Sequence, residues 1–326
     1  MRVLWTHNFD PGNPVSGVFM RTAADALADR GVDIELEYLG NLRNPRDVFA
    51  ARRRVRRMAA SFDVVHSQFG SACALVTTAI RGRPLVVSLR GSDWTPALSS
   101  SAGQRVHAGL ASRMTRRALP RYRRVVVMSN RMADEVRARF PGLSVSVQPD
   151  PIDLHRFVPR RRDVSARGWG GPRRILFTAA RRDDANKRLW LAEQAVAYAR
   201  ESVPGVELVV ASGVDPIQMP ELVASADVAL LCSDSEGWPN CIKEALACNV
   251  PFVATDVSDL AAIAAQEPSC HVVDATPQAL GTALVDALRQ SRETPDLRRR
   301  VNGLALDRYA DSIHEIYESA AALTRE

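Results

Sequence analysis

The sequence predicts an α/β chain made of two doubly wound parallel sheets, and three observations carry that reading. Apolar, β-branched runs alternate with helical patterns through almost all of the 326 residues. The runs are continuous in Val, Leu and Ile rather than alternating in polarity, which marks strands covered on both faces and so arranged in parallel. The pattern pauses once, in "VPRRRDVSARGWGGPRR" from Val158 to Arg174, where proline, glycine and a charge run break every apolar period, and then starts again. With 46% hydrophobic residues and this length, two domains with separate cores are expected.

The elements follow in order. "RVLWTH" reads as a strand, followed by a helix from about Gly17 to Arg30, then the strand "VDIELEYL" and a helix from about Arg46 to Ala60. Four more strands, "DVVHS", "PLVVSL", "RVVVMS" and "SVSVQ", alternate with helical segments. After the break come "RILFT", a helix near Leu189–Arg200, then "VELVVAS", "DVALLCS", "PFVAT" and "CHVVD". Alternation of this kind gives βαβ units, whose ligands bind beyond the carboxyl ends of the strands. The expected division is an N-terminal domain over 1–158, a C-terminal domain over 159–306 and a final helix over 307–326 that packs back on the first domain. That last helix is amphipathic, with Ile313, Ile316, Tyr317, Ala320 and Ala321 on one side.

Composition narrows the chemistry. Five cysteines, an odd count with no C-x-x-C pair, argue against a disulfide or zinc framework and for small buried hydrophobes. No window of 18 uncharged apolar residues occurs, and the N-terminus lacks the apolar stretch and cleavage site of a signal peptide, so the expected setting is the cytoplasm. Charge is unevenly placed: residues 1–170 carry a net +14 and residues 171–326 a net −8. A basic half points to an anionic partner, whether phosphorylated substrate, membrane surface or nucleic acid. Only two of the 43 cations are lysines, Lys187 and Lys243. A compact ammonium and a planar guanidinium are different ligands, so these two positions are candidates for sites that need the smaller ion.

Two stretches concentrate such groups. In "SDSEGWPNCIKEALACNVPFVATD" the carboxylates Glu236 and Glu244 stand eight positions apart, around a helix start marked by Gly237 and Pro239. A helix N-terminus offers open N–H groups and a partial positive charge to an anion, and Glu244 would lie about 7–8 Å further along the axis. Asn249 suits the left-handed position that ends the helix. Taken alone, Lys243 and Glu244 read equally well as a solvated helix face. In "FTAARRDDANKRLW", Arg181, Arg182 and Lys187 occupy the loop between a strand and a helix, the phosphate-binding position of a βαβ unit. Neither G-x-G-x-x-G nor G-x-x-x-x-G-K-[ST] is present there, so dinucleotide and P-loop readings lack their fingerprints, and a solvated basic loop is the ordinary alternative.

With "EGWPNCIKEALACNVPFVATD" and "FTAARRDDANK", and with "RVVVMSNRMADEV", "VQPDPIDLHRF", "FDVVHSQ" and "SGVFMRTAADALADRG" in this order, nearly the whole chain resembles the retaining family-4 glycosyltransferases of the GT-B fold. The resemblance implies two Rossmann-like domains facing across a cleft and a nucleoside diphosphate sugar held mainly by the second. By the same resemblance Arg181 or Arg182, with Lys187, binds the diphosphate; the spacing leaves both arginines open. Glu244 takes the ribose hydroxyls and Glu236 those of the transferred sugar. Backbone amides near Trp238, Asn240 and Cys241 reach sugar and phosphate, and Gly17 closes over the diphosphate. A UDP-sugar is favoured over GDP-mannose, with a glycan or lipid-linked hydroxyl acceptor.

The chain also departs from the family pattern. Arg90 stands in "SLRGSDW" where many relatives have histidine; it cannot act as a base at neutral pH but can stabilise departing phosphate. Pro149-Asp150-Pro151 replaces a Pro-Asn-Gly. No Asp-x-Asp follows a strand in the donor region and cations already face the diphosphate, so neither metal nor other cofactor is expected.

Asn44 to Phe62 reads as a capped basic helix, with an apolar stripe of Val48, Val55, Met58 and Phe62 beside Arg52, Arg53, Arg56 and Arg57. It is the candidate contact with an anionic membrane surface; nucleic acid is not expected, since aromatic residues are scarce there. Two rival functions stay open. One is a non-catalytic nucleotide-sugar-binding subunit. The other is a glycoside hydrolase with Glu236 and Glu244 as its carboxyl pair, against which stands the expectation that neither keeps a raised pKa beside so many cations.

Overall fold

The computed structural model describes residues 1–12, 16–95, 102–159, 173–290 and 296–322. Of these, one unit holds Met1 to Pro151 and the stretch from Leu306 onward, and the other holds Ile152 to Ala305. The chain thus leaves the first unit at Pro151/Ile152, earlier than the expected 158/159, because Ile152 and Phe157 are buried in the second core. Most of the glycine- and arginine-rich break lies in 160–172, outside the described residues.

The first unit contains β1 (Arg2–His7), α1 (Val18–Ala28), β2 (Asp33–Tyr38), α2 (Pro45–Met58), β3 (Val64–Ser67), α3 (Ser71–Thr77), β4 (Leu85–Leu89), α4 (Ala102–Ala118), β5 (Arg124–Val127), α5 (Asn130–Arg139) and β6 (Val145–Val147). The six strands form one sheet in the order β2-β1-β3-β4-β5-β6, and all its pairings are parallel. Every residue of β3 and β4 is buried, as continuous apolar runs require.

The second unit contains β7 (Arg174–Thr178), α6 (Leu189–Ser202), β8 (Glu207–Ala211), α7 (Met219–Ala224), β9 (Val228–Leu231), α8 (Asn240–Ala247), β10 (Phe252–Thr255), α9 (Leu260–Ala264), β11 (His271–Val273) and α10 (Pro277–Gln290). Its sheet, β11-β10-β9-β7-β8, is also parallel throughout. The two-residue strand period divides its cores. Ala229 and Leu231 of β9 face a cluster with Ile242, Ala245 and Leu246 of α8, while Val228 and Leu230 face Ala192, Ala195 and Val196 of α6.

The order of each sheet reverses once, between β1 and β3 in the first and between β7 and β9 in the second. At such a reversal the loops at the strands' carboxyl ends diverge and leave a crevice. The loops after β7 and β9 carry Lys187 and Glu236, so sheet order alone brings together residues 49 positions apart.

The C-terminal helix α11 (Leu306–Ala322) belongs to the first unit. It buries Ile313, Ile316, Tyr317 and Ala320, with Tyr309 and Ala310 as well. The Tyr317 hydroxyl accepts from Trp5 Nε1 at 2.7 Å and lies 2.7 Å from His66 Nδ1, and His66 Nε2 lies 2.9 Å from Ser88 Oγ. Burial, and then the Arg90 charge, hold His66 well below its ordinary pKa. A neutral ring donating from Nε2 to Ser88 and accepting at Nδ1 from Tyr317 satisfies all four groups.

A candidate donor site at the sheet reversal of the C-terminal unit

Lys187 and Glu236 meet directly, with Nζ 2.5 Å from Oε1 and their side chains 20% and 17% exposed. Burial is the largest influence on Lys187 and opposes its charge, but Glu236, then Cys241 and Asp184, outweigh it, so the pKa stands above the ordinary lysine value. The ammonium is charged at neutral pH and keeps further donors for a ligand.

Three side chains that sequence reasoning did not single out fix this meeting. Asn186 Nδ2 donates to Ser235 O at 3.0 Å, its Oδ1 accepts from Ser235 N at 3.1 Å, and its carbonyl accepts from Asp234 N at 3.0 Å. Arg188 donates from Nε to Cys232 O at 2.5 Å and from Nη2 to Ser233 O at 2.9 Å. It does so from the left-handed N-cap of α6, at φ 52° and ψ 54°. Ser258, also left-handed at φ 56°, donates to Gly237 O at 2.6 Å. The β9–α8 loop is thereby tied through its carbonyls to the β7–α6 loop and to the turn after β10. The signal in the sequence was available: polar residues flank each candidate charge, as loops at a sheet reversal require.

Pro239, the N-cap of α8 rather than its first-turn residue, accepts from Ile242 N and Lys243 N. The N–H groups of Asn240 and Cys241 have no acceptor among the described residues, and the Cys241 side chain lies within electrostatic range of Lys187 and Glu236. Burial pushes the Cys241 thiol up to about 12, against the pull of Lys187, so the group is a neutral thiol. Asn249 takes the left-handed position that ends the helix, at φ 56°, and its side chain accepts from Arg298 N at 2.8 Å.

The solvated-face reading of Lys243 and Glu244 does not hold. Lys243 is 1% exposed, with its ammonium 5.7 Å from the centre of the Trp238 ring. Glu244 is half-buried, and burial raises its pKa to about 7, with Lys243 and Arg156 acting in the opposite direction. The expectation that neither glutamate keeps a raised pKa therefore fails for Glu244: the nearest cations only partly offset its desolvation.

The two arginines of the β7–α6 loop separate. Arg181 closes a two-point pair on Asp183, Nε to Oδ1 at 2.9 Å and Nη2 to Oδ2 at 2.7 Å, with both side chains exposed. Arg182 is exposed and forms no ion pair among the described residues.

The remaining candidates belong to the other unit. Gly17 is the N-cap of α1 at φ 69°, and a Cβ there would stand 3.1 Å from Phe9 Cβ, so both conformation and space call for glycine. Arg90 is 8% exposed. Its Nη1 pairs with Asp150, its Nε and Nη2 donate to Gln68 O and Oε1 at 2.8 Å each, and its plane lies 4.3 Å from the Phe19 ring centre. The two departures from the family pattern, an arginine for histidine and Asp150 for asparagine, are thus the two halves of one buried ion pair.

Two family models match, one in each half of the chain. "Glycosyltransferase Family 4" matches residues 14–156 and "Glycosyl transferases group 1" matches residues 180–290, together most of the sequence. The chain belongs to these glycosyltransferases. It is 25% identical over 244 residues to TuaC of Bacillus subtilis (strain 168), which is named as a teichuronic acid biosynthesis glycosyltransferase; the match covers 68% of this chain and 60% of TuaC. Sucrose-phosphate synthase (tll1590) from Thermosynechococcus elongatus superposes with a TM-score of 0.78 at 14% identity, over 99% of this chain and 100% of that one. Anabaena Alr3699/HepE, solved in complex with UDP and glucose, gives 0.64 at 14% identity over 98% and 100%. These likenesses establish the GT-B fold, to which the two parallel-sheet units correspond.

Proposed function

We propose that this glycosyltransferase moves a sugar from a nucleoside diphosphate sugar, UDP-linked in preference to GDP-linked, to a hydroxyl acceptor in envelope polysaccharide or glycolipid synthesis. Transfer proceeds with retention and without a metal ion. One observation carries the reading: Lys187 and Glu236 meet on the two loops of a sheet reversal, within electrostatic range of Cys241 in the first turn of α8. Such a crevice pairs a cation and amide donors for a diphosphate with a carboxylate for sugar hydroxyls. The glucose and UDP held by the Anabaena protein and the teichuronic acid biosynthesis role in the name of TuaC agree with it.

In this reading Lys187, Arg182 and the amides of Asn240 and Cys241 neutralise charge that builds on the leaving diphosphate, so the residues themselves supply the electrostatic stabilisation. Glu236 orients the transferred sugar and Glu244 accepts from the ribose hydroxyls. Arg90 acts as a positioning residue for the loops after β3, β4 and β6. Calorimetry with UDP and GDP, followed by a UDP-release assay over a panel of UDP-sugars, tests this. Binding of UDP and turnover of at least one sugar are expected; no binding of either nucleotide would overturn it. The raised pKa of Glu244 gives glycoside hydrolysis one supporting feature, and cleavage of a nucleotide-free glycoside in the same assay would favour that reading.

Peripheral attachment to anionic lipid at the inner face of the membrane is part of the proposal. Among the described residues no helix is long and apolar enough to cross a membrane. On α2 the apolar stripe faces inward, with Val55 and Phe62 buried and Val48 and Met58 packed on the core. Arg52 donates to Leu75 O at 2.9 Å, while Arg53, Arg56, Arg57 and Phe49 are exposed. The attraction is therefore electrostatic, and vesicle flotation should fall with salt and vanish for neutral lipid.

A further inference from the structure

A concavity of about 560 Å³ lies in the N-terminal unit, lined by Trp94, Thr95, Arg116, Glu135, Ala138 and Arg139. Trp94 and Thr95 continue the loop that leaves the carboxyl end of β4, four and five residues beyond Arg90. Arg116 comes from the last turn of α4, and Glu135, Ala138 and Arg139 come from α5. Its charge is unbalanced. The one carboxylate, Glu135, is on an exposed residue, and its Oε2 accepts from Trp94 Nε1 at 2.8 Å and from Thr95 Oγ1 at 3.5 Å. Neither arginine forms an ion pair among the described residues. Arg116 lies across Trp94, Cζ 5.2 Å from the ring centre, and its Nε is buried with no hydrogen-bond partner. A buried donor without an acceptor is uncommon and calls for a reason. Burial, and then the Arg139 charge, lower the Arg116 pKa, with the Glu135 charge acting in the opposite direction.

We propose that this concavity binds an anionic saccharide, a sugar bearing a carboxylate or a phosphate, through the guanidinium groups of Arg116 and Arg139, with Thr95 and Glu135 placed for its hydroxyls. The anion site itself does not rest on the glycosyl-transfer reading.

The test follows the Trp94 indole N–H in ¹H–¹⁵N spectra of the full chain, assigned with Trp94→Phe, during titration with glucuronic acid, glucose 6-phosphate, glucose and inorganic phosphate. A saturable shift is expected with one or both charged sugars and not with glucose, and it should weaken roughly tenfold in Arg116→Gln, which removes a charge-assisted donor. Response to glucuronic acid alone assigns a carboxylate, and response to glucose 6-phosphate alone assigns a phosphate. Equal response to inorganic phosphate would overturn the saccharide part, and no shift, or an equal shift with glucose, would overturn the site. Should Arg116→Gln fold poorly, Arg139→Gln, at an exposed side chain, must show the same weakening. UDP calorimetry on the same samples separates the two readings: UDP binding without a sugar response defeats only this proposal, and a sugar response without UDP binding defeats only the donor assignment.

Discussion

Each unit places ion pairs across loops at the carboxyl edge of its sheet, and two of them, Arg90–Asp150 and Lys187–Glu236, do different work. In the first unit Arg90 meets Asp150, at 8% and 11% exposure, and two further guanidinium nitrogens are occupied by Gln68. In the second, Lys187 meets Glu236 at 20% and 17% exposure, and the loops are held by Asn186, Arg188 and Ser258 instead. In the first unit the charge is itself the tie. In the second, Asn186, Ser258 and a different cation, Arg188, paired with Asp234 and donating to two carbonyls, carry the tie, so the Lys187 ammonium and Glu236 carboxylate are not needed for it. Charge at a strand end is therefore a poor sign of function until its partners are counted; what distinguishes a site is charge that the fold does not use up.

The comparison breaks most sharply at Lys187. Lys187→Met should lower kcat/KM on the order of 10³-fold, the scale for removing one donor aimed at developing charge. Glu236→Gln should lower turnover while UDP affinity stays within about threefold, since it touches the sugar and not the diphosphate. Near-normal turnover in Lys187→Met would place this pair in the same structural class as Arg90–Asp150. Next comes Arg90→Met, which removes the Asp150 ion pair and both Gln68 bonds and should destabilise the first unit by about 3–5 kcal/mol in urea unfolding. Adding Asp150→Asn should recover part of that loss, because it removes the charge that Arg90 offsets. A stable Arg90→Met protein with turnover abolished would instead make Arg90 catalytic.

These contrasts also show what was legible beforehand. The eleven strands of the described residues, both sheets and the capped start of α2 follow from apolar runs and local chemistry, since Asn44 accepts from the helix it opens. Lys187 and Glu236 stood out by residue type and loop position. Asn186, Arg188 and Ser258 did not, because their task is to accept or supply single bonds across the fold, which leaves no periodic trace. Arg90 stood out as a cation at a strand end, and its partners did not. Nothing local says that Asp150, sixty residues on, will meet it. The chain's departure into the second unit at Pro151 was equally hidden, since composition marks a linker and not the residues packed before it.

Glu244 sharpens the contrast through pH. Its folded pKa of about 7 lies above the ordinary 4.5, so between those values the folded chain holds a proton the unfolded chain has released. Its contribution to stability is present in full below 4.5 and is lost as pH rises towards 7. Donor binding runs the opposite way, because only the ionised carboxylate accepts two ribose hydroxyls well. UDP affinity should therefore weaken by about tenfold from pH 8 to pH 6, and Glu244→Gln should weaken it at all pH values and flatten the profile. A wild-type profile already flat across that range would remove Glu244 from the ribose contact.

The smallest expected effect separates two adjacent arginines. Arg181 and Asp183 form a closed fork, so as a unit they bring no net charge to an incoming diphosphate. Arg182 does bring one. Arg182→Gln should weaken UDP binding by roughly fivefold and lower its salt dependence, while Arg181→Gln should change it by less than about twofold. Asp183→Ala supplies the decisive comparison, since it releases the Arg181 guanidinium without moving the loop. Affinity should then rise by about twofold through the freed cation, and that gain should disappear when Arg181→Gln is added. If Arg181→Gln proves the more damaging change in the parent chain, the ligand opens the fork on arrival. Asp183 would then be a competitor for the same guanidinium, and local pairing in the loop would not predict which arginine the diphosphate selects.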